Sequence, residues 1–98
     1  MFSSQWQTYD PSIVAYSPDE LGMYELGDEA GITVYYGSGK IRTRLLDHLN
    51  KNECPMARYY RFELFRTEEE CRAREQQLLD DYKKRYDILP MYNERIGS

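Results

Sequence analysis

Histidine occurs once in this chain, at His48, and cysteine twice, at Cys54 and Cys71, with no C-x-x-C spacing. A zinc site needs a fuller set of such ligands, and a disulfide framework needs recurrent cysteines, so two reduced thiols are expected instead. No stretch approaches the run of about eighteen apolar residues that spans a bilayer. Near the N-terminus, Gln5, Gln7, Asp10, Asp19 and Glu20 leave neither the basic start nor the apolar centre of a signal peptide, which implies a cytoplasmic protein. Basic excess is missing too: the formal net charge is −4. Proteins that hold nucleic acid by neutralising phosphate draw much of their affinity from counterion release, so the domain alone is expected to bind DNA weakly.

What remains is the composition of a globular protein, 41% apolar and 14% aromatic, at a length of 98 residues that suits one small domain. Its chemistry is concentrated between Leu21 and Leu49. Gly22 to Leu26 and Ile32 to Tyr36 are short aromatic and β-branched runs around a Gly- and Asp-containing break, the pattern of a β-hairpin. A symmetric turn pairs Leu26 with Thr33, Glu25 with Val34 and Tyr24 with Tyr35, so that two phenols share one face. After Gly37-Ser38-Gly39, the recurrence of Ile41, Leu45 and Leu49 predicts a helix with one apolar stripe. Arg44 and His48, four residues apart, neighbour each other on its adjacent face.

The flanking segments read as support. Residues 1–17 form an N-terminal extension whose Trp6, Tyr9 and Ile13 to Tyr16 are apolar enough to pack on the domain proper, residues 18–98, as an extra strand or arm. Ser17-Pro18-Asp19-Glu20 has the residues of a cap and one helical turn. Arg58 to Phe65 alternates in character and predicts a third strand with Tyr60, Phe62 and Leu64 inward. Thr67 and Glu70 make a capping box for a long helix from about Glu68 to about Lys84. Cys71, Leu78 and Tyr82 share one phase of that helix, and Glu75 fills the missing place in their stripe. A carboxylate there is costly unless it is paired or holds a cation, which marks Glu75 as a functional candidate.

Gly22-Met23-Tyr24 followed by Tyr35-Tyr36-Gly37, with an arginine-bearing helix after it, resembles the paired signature of the GIY-YIG nuclease superfamily, which includes the N-terminal nuclease domain of UvrC. The resemblance runs from about Pro18 to Gly97. It implies a small α/β (α+β) domain with a three-stranded, mainly antiparallel sheet flanked by helices. It further implies a metal-dependent DNA endonuclease acting in repair, recombination or defence. On that reading Glu75 holds one Mg²⁺ or Mn²⁺ ion, Arg44 binds the scissile phosphate, and Tyr24 and Tyr35 activate and position the attacking water. His48 assists by hydrogen bonding or proton transfer. Lys40 and Arg42 are expected on the substrate, with Asn93 as the closing site residue and Asp87 as a competing match for it. Departures are Tyr36 in place of a small aliphatic residue and a shortened link to Arg44. The alternative is a catalytically inactive module of the same fold that binds nucleic acid or a protein partner, and in either case a partner protein is expected to supply specificity.

Overall fold

The computed structural model describes residues 5–96. The first four residues of the N-terminal extension, the last two of the domain, and with them the end of the resemblance at Gly97, lie outside the described residues. The sheet is antiparallel and has four strands in the order β1-β4-β2-β3: β1 (Gln7–Thr8), β2 (Leu21–Gly27), β3 (Thr33–Lys40) and β4 (Tyr59–Leu64). Four strands replace the three expected because Gln7 and Thr8 pair with Tyr60 and Tyr59 at the outer edge of β4. Two residues are too short to stand out as a strand by alternation alone.

Four helices complete the described fold: α1 (Pro11–Val14), α2 (Ile41–Lys51), α3 (Glu68–Tyr86) and α4 (Met91–Ile96). The first helical turn lies earlier than expected, at Pro11, where Asp10 caps it by accepting a hydrogen bond from Ser12 N at 3.0 Å. Pro18-Asp19-Glu20 serves the next helix instead. Ile41 N donates to Glu20 O at 3.0 Å, and the Asp19 carboxylate accepts from Thr43 N at 2.9 Å. The α2 N-cap residue, Lys40, offers no side-chain acceptor, so the orphan N–H groups of α2 are satisfied by a segment twenty residues upstream in sequence order. By contrast the capping box at Thr67 and Glu70 is present as read, and α3 runs on to Tyr86.

Helix α2 covers one face of the sheet, burying Tyr24, Leu26, Tyr35, Tyr60 and Phe62 with Ile41 and Leu45. Helix α3 covers the other through Met23, Tyr36 and Leu79. Both faces being covered explains why β2 is buried along nearly all its length rather than alternating. It also corrects the reading of β4: Leu64 is 38% exposed, while Glu63, 9% exposed, is buried and accepts from Arg74 Nε at 2.8 Å. Glu25 is likewise buried and accepts from Arg61 Nε at 2.6 Å.

The hairpin register departs from the symmetric expectation by two residues, since Tyr24 pairs with Gly37 and Leu26 with Tyr35. Two local causes each contribute one residue. The turn is centred so that Gly27 pairs with Thr33, held by Asp28 Oδ1 accepting from Ala30 N and Ile32 N, both at 2.9 Å. A bulge between Leu26 and Gly27 then leaves Val34 as the extra residue of β3. A slip of one would send Tyr35 to the opposite face, but a slip of two restores parity, and the two phenols stay together.

Strand β3 is an edge, and α4 closes it. Asn93, 3% exposed, accepts from Tyr36 N and donates through Nδ2 to Tyr36 O, each at 2.9 Å. Its amide thereby pairs an edge peptide as a neighbouring strand would.

Candidate active site

Tyr24 projects from the middle of β2, and Tyr35 from β3, toward α2. Their ring centroids lie 6.1 Å apart, and the His48 ring stands 5.8 Å from Tyr24 and 5.3 Å from Tyr35. The Tyr24 hydroxyl and His48 Nε2 share a 2.7 Å hydrogen bond, and His48 Nδ1 lies 2.7 Å from Glu53 Oε1. One turn before His48, the Arg44 guanidinium stands beside the Tyr24 hydroxyl, close enough for its charge and polar hydrogens to favour the phenolate. Arg44 reaches it by passing over Gly39, whose φ of +134° and a would-be Cβ only 2.9 Å from Arg44 Cγ admit no side chain. Glu75 approaches from α3, half-buried, with the Ser38 hydroxyl and the Arg44 charge nearby.

Burial dominates the electrostatics. It pushes Tyr24 well above the ordinary phenol range, with Tyr35 adding to the rise and the Arg44 charge and polar hydrogens opposing it. Desolvation lowers the proton affinity of His48 against the pull of Glu53, which favours the neutral ring. Glu75 is raised by burial, with the Ser38 hydroxyl and Arg44 opposing. Tyr24 and Tyr35 are 0% and 2% exposed, so the surface of the cluster is Arg44.

Sequence relatives now extend the geometry. Residues 1–85 match the family model described as "Domain of unknown function (DUF7508)". The chain belongs to that family. No curated protein matches it. Among solved structures it is similar to the GIY-YIG N-terminal endonuclease domain of UvrC from Thermotoga maritima bound to its catalytic divalent cation, magnesium. The TM-score is 0.68 at 24% identity, over 84% of this chain and 92% of that one. A tyrosine-to-phenylalanine mutant of the same domain gives 0.67 at 24% identity over 84% and 91%, and an asparagine-to-alanine mutant gives 0.66 at 23% over 83% and 90%. This DUF7508 domain therefore has the GIY-YIG fold.

Within the DUF7508 domain the fold gathers Tyr24, Tyr35, Arg44 and His48 into one cluster and brings Glu75 close enough for its charge to act on Tyr24. Lys40 and Arg42 lie on the exposed flank, where Arg42 Nη1 donates to Ser17 O at 3.5 Å. The Asn93 amide is engaged by the backbone of Tyr36. Asp87 is the left-handed C-cap of α3, exposed, at φ 64°. A concave surface of about 760 Å³ is lined by Arg44 with Thr43, Asp47 and Leu49, whereas a groove of about 800 Å³ lined by Tyr36, Arg61, Tyr82 and Arg85 has neither Tyr24 nor Tyr35 in its lining.

Among the described residues no three His, Cys, Asp or Glu side chains gather into a metal cluster. A lone Glu75 carboxylate still fits Mg²⁺, a hard cation that keeps several waters and takes one or two carboxylates beside substrate phosphate. Sequence reading passed over Glu53. It stands five residues after His48, a spacing at which helical residues do not face each other, and only the turn-rich Asn50-Lys51-Asn52 hints that the helix ends between them.

Proposed function

We propose that this domain is a divalent-metal-dependent DNA endonuclease that hydrolyses phosphodiester bonds in the cytoplasm. The observation that carries the reading is the Tyr24 hydroxyl held between the Arg44 guanidinium and the His48 imidazole. A phenol is a useful base near neutral pH only where positive charge favours its phenolate and a second group receives its proton, and both neighbours are present. Arg44, exposed beyond Tyr24, binds the scissile phosphate through its fork of donors. Tyr35 packs against Tyr24 and His48 and orients them, while Lys40 and Arg42 meet the flanking backbone. Glu75 with Ser38 beside it holds the cation, which supplies charge stabilisation at the phosphoryl oxygens. With a net charge of −4, a protein partner provides much of the DNA affinity and specificity.

A second reading, a module that binds nucleic acid or a protein partner without cutting, draws on the burial of both phenols. Nicking of supercoiled and branched DNA at low salt with Mg²⁺ or Mn²⁺, run beside Glu75→Ala and Arg44→Ala, separates the two. Native cleavage abolished by Glu75→Ala and lowered about 10²–10³-fold by Arg44→Ala supports the nuclease. Binding of DNA or of a partner by a native protein that cuts no substrate replaces it with the second reading.

A further inference from the structure

Glu53 is set by the way α2 ends. Asn52 takes the left-handed conformation at φ 52°, which stops the helix and folds the chain back. Glu53 N donates to His48 O at 3.1 Å, and the Glu53 carboxylate meets Nδ1 of the same histidine at 2.7 Å. The His48 side chain is 2% exposed and that of Glu53 32% exposed, so the carboxylate forms the outer end of a chain that runs inward through the imidazole to Tyr24.

We propose that Glu53 is a positioning residue that fixes His48 as its Nδ1–H tautomer and so directs the Tyr24 proton toward Nε2. An ionised carboxylate only accepts hydrogen bonds, so the 2.7 Å contact puts the proton on Nδ1. The Nε2 atom of a neutral ring then carries its lone pair, and the 2.7 Å contact with Tyr24 is donated by the phenol. Burial, which disfavours the charged ring, supports the neutral starting state. The Arg44 guanidinium beside the same phenol has donors and no acceptor, so the single phenolic hydrogen is left for the histidine. In the step that follows, the Tyr24 O–H bond breaks and an N–H bond forms at Nε2. The phenolate remains beside the Arg44 cation, and the imidazolium beside the Glu53 anion. No proton passes to Glu53. The catalytic use of this arrangement rests on the nuclease reading, whereas the tautomer does not.

The test is ring ¹⁵N spectroscopy of His48 in the full chain, beside Glu53→Gln and Glu53→Ala, with nicking rates and unfolding midpoints recorded for each. The native ring is expected as the Nδ1–H form, and Tyr24→Phe should leave it so, because Glu53 and not the phenol selects it. Glu53→Ala should shift the ring toward Nε2–H, and Glu53→Gln, whose amide both donates and accepts, should give a mixture. Nicking should fall at least about 10-fold in the alanine variant, a part of the roughly 10²–10⁴-fold that general acid–base assistance provides. If Glu53→Ala does not fold, the glutamine variant carries the same comparison. An Nε2–H ring in the native protein, or a tautomer unchanged in the variants that fold, overturns the proposal. A native protein that cuts no DNA but shows the tautomer change removes the nuclease reading and leaves the positioning role supported.

Discussion

The phenol of Tyr24 lies over Gly37, its partner across the β2–β3 pair, so closely that a Cβ on Gly37 would stand 2.5 Å from the Tyr24 oxygen. The glycine of the second motif is thus a space requirement of the tyrosine of the first. Gly37→Ala overpacks a site where the neighbour is a fully buried ring with nowhere to move. The expected cost is about 1–3 kcal/mol. Thermal unfolding would register it as a lower midpoint, at about 4–8 °C for each kcal/mol in a domain of this size. An unchanged midpoint would show that Tyr24 does not occupy this place.

Asn93→Ala removes both hydrogen bonds to Tyr36 and leaves a buried N–H and C=O without them. The expected loss is about 2–4 kcal/mol, measured by denaturant unfolding. Asn93→Asp should lose at least as much, because a carboxylate keeps the acceptor for Tyr36 N but faces Tyr36 O without a donor. If Asn93 instead serves chiefly on substrate, stability should hardly change while DNA affinity falls.

Glu75→Gln should make the protein more stable at neutral pH while abolishing any stabilisation by added Mg²⁺. Burial raises the carboxyl in the folded state above its unfolded value, so folding disfavours the ionised form. The sign follows: this penalty is absent below the unfolded value of about 4.3 and grows as pH rises through it. Unfolding midpoints of native and variant proteins from pH 4 to 8, expected about where both states are measurable, should therefore diverge upward for the variant. A variant that is less stable at every pH would mean Glu75 forms a net favourable ion pair.

His48 should give the opposite slope. Its folded-state proton affinity lies below the unfolded value of about 6.5, so its contribution is complete above that pH and is lost as pH falls below it. Midpoints measured on either side of about pH 6.5 should fall more steeply on acidification for the native chain than for His48→Gln. Parallel curves would exclude the buried neutral imidazole.

Much of the candidate cluster was legible before the fold. The order Gly22-Met23-Tyr24, Tyr35-Tyr36-Gly37, Arg44 and the lone acid of the α3 stripe, Glu75, are local patterns of type and spacing, and the capping box at Thr67 is read from adjacent residues. Such features depend on helix and strand periods, which the chain carries in itself. Other features needed partners distant in sequence. The Ser-Pro-Asp-Glu segment looks like a helix start, yet its acceptors go to Thr43 and Ile41, because α2 begins with a lysine that cannot cap it.

What the sequence by itself determined is which side chains stand as candidates for the chemistry, from their types and spacing; that the two phenols share a face was kept only because the turn and the bulge each shifted the register by one residue. The pairing of Tyr24 with Gly37, the fourth strand, the edge clamp of Asn93 and the approach of Glu53 to His48 were decided by tertiary structure. A bulge, a left-handed residue at Asn52 and an uncovered strand edge each change which groups meet by a single residue or a single hydrogen bond. Those choices are made by packing between segments, and no periodicity records them.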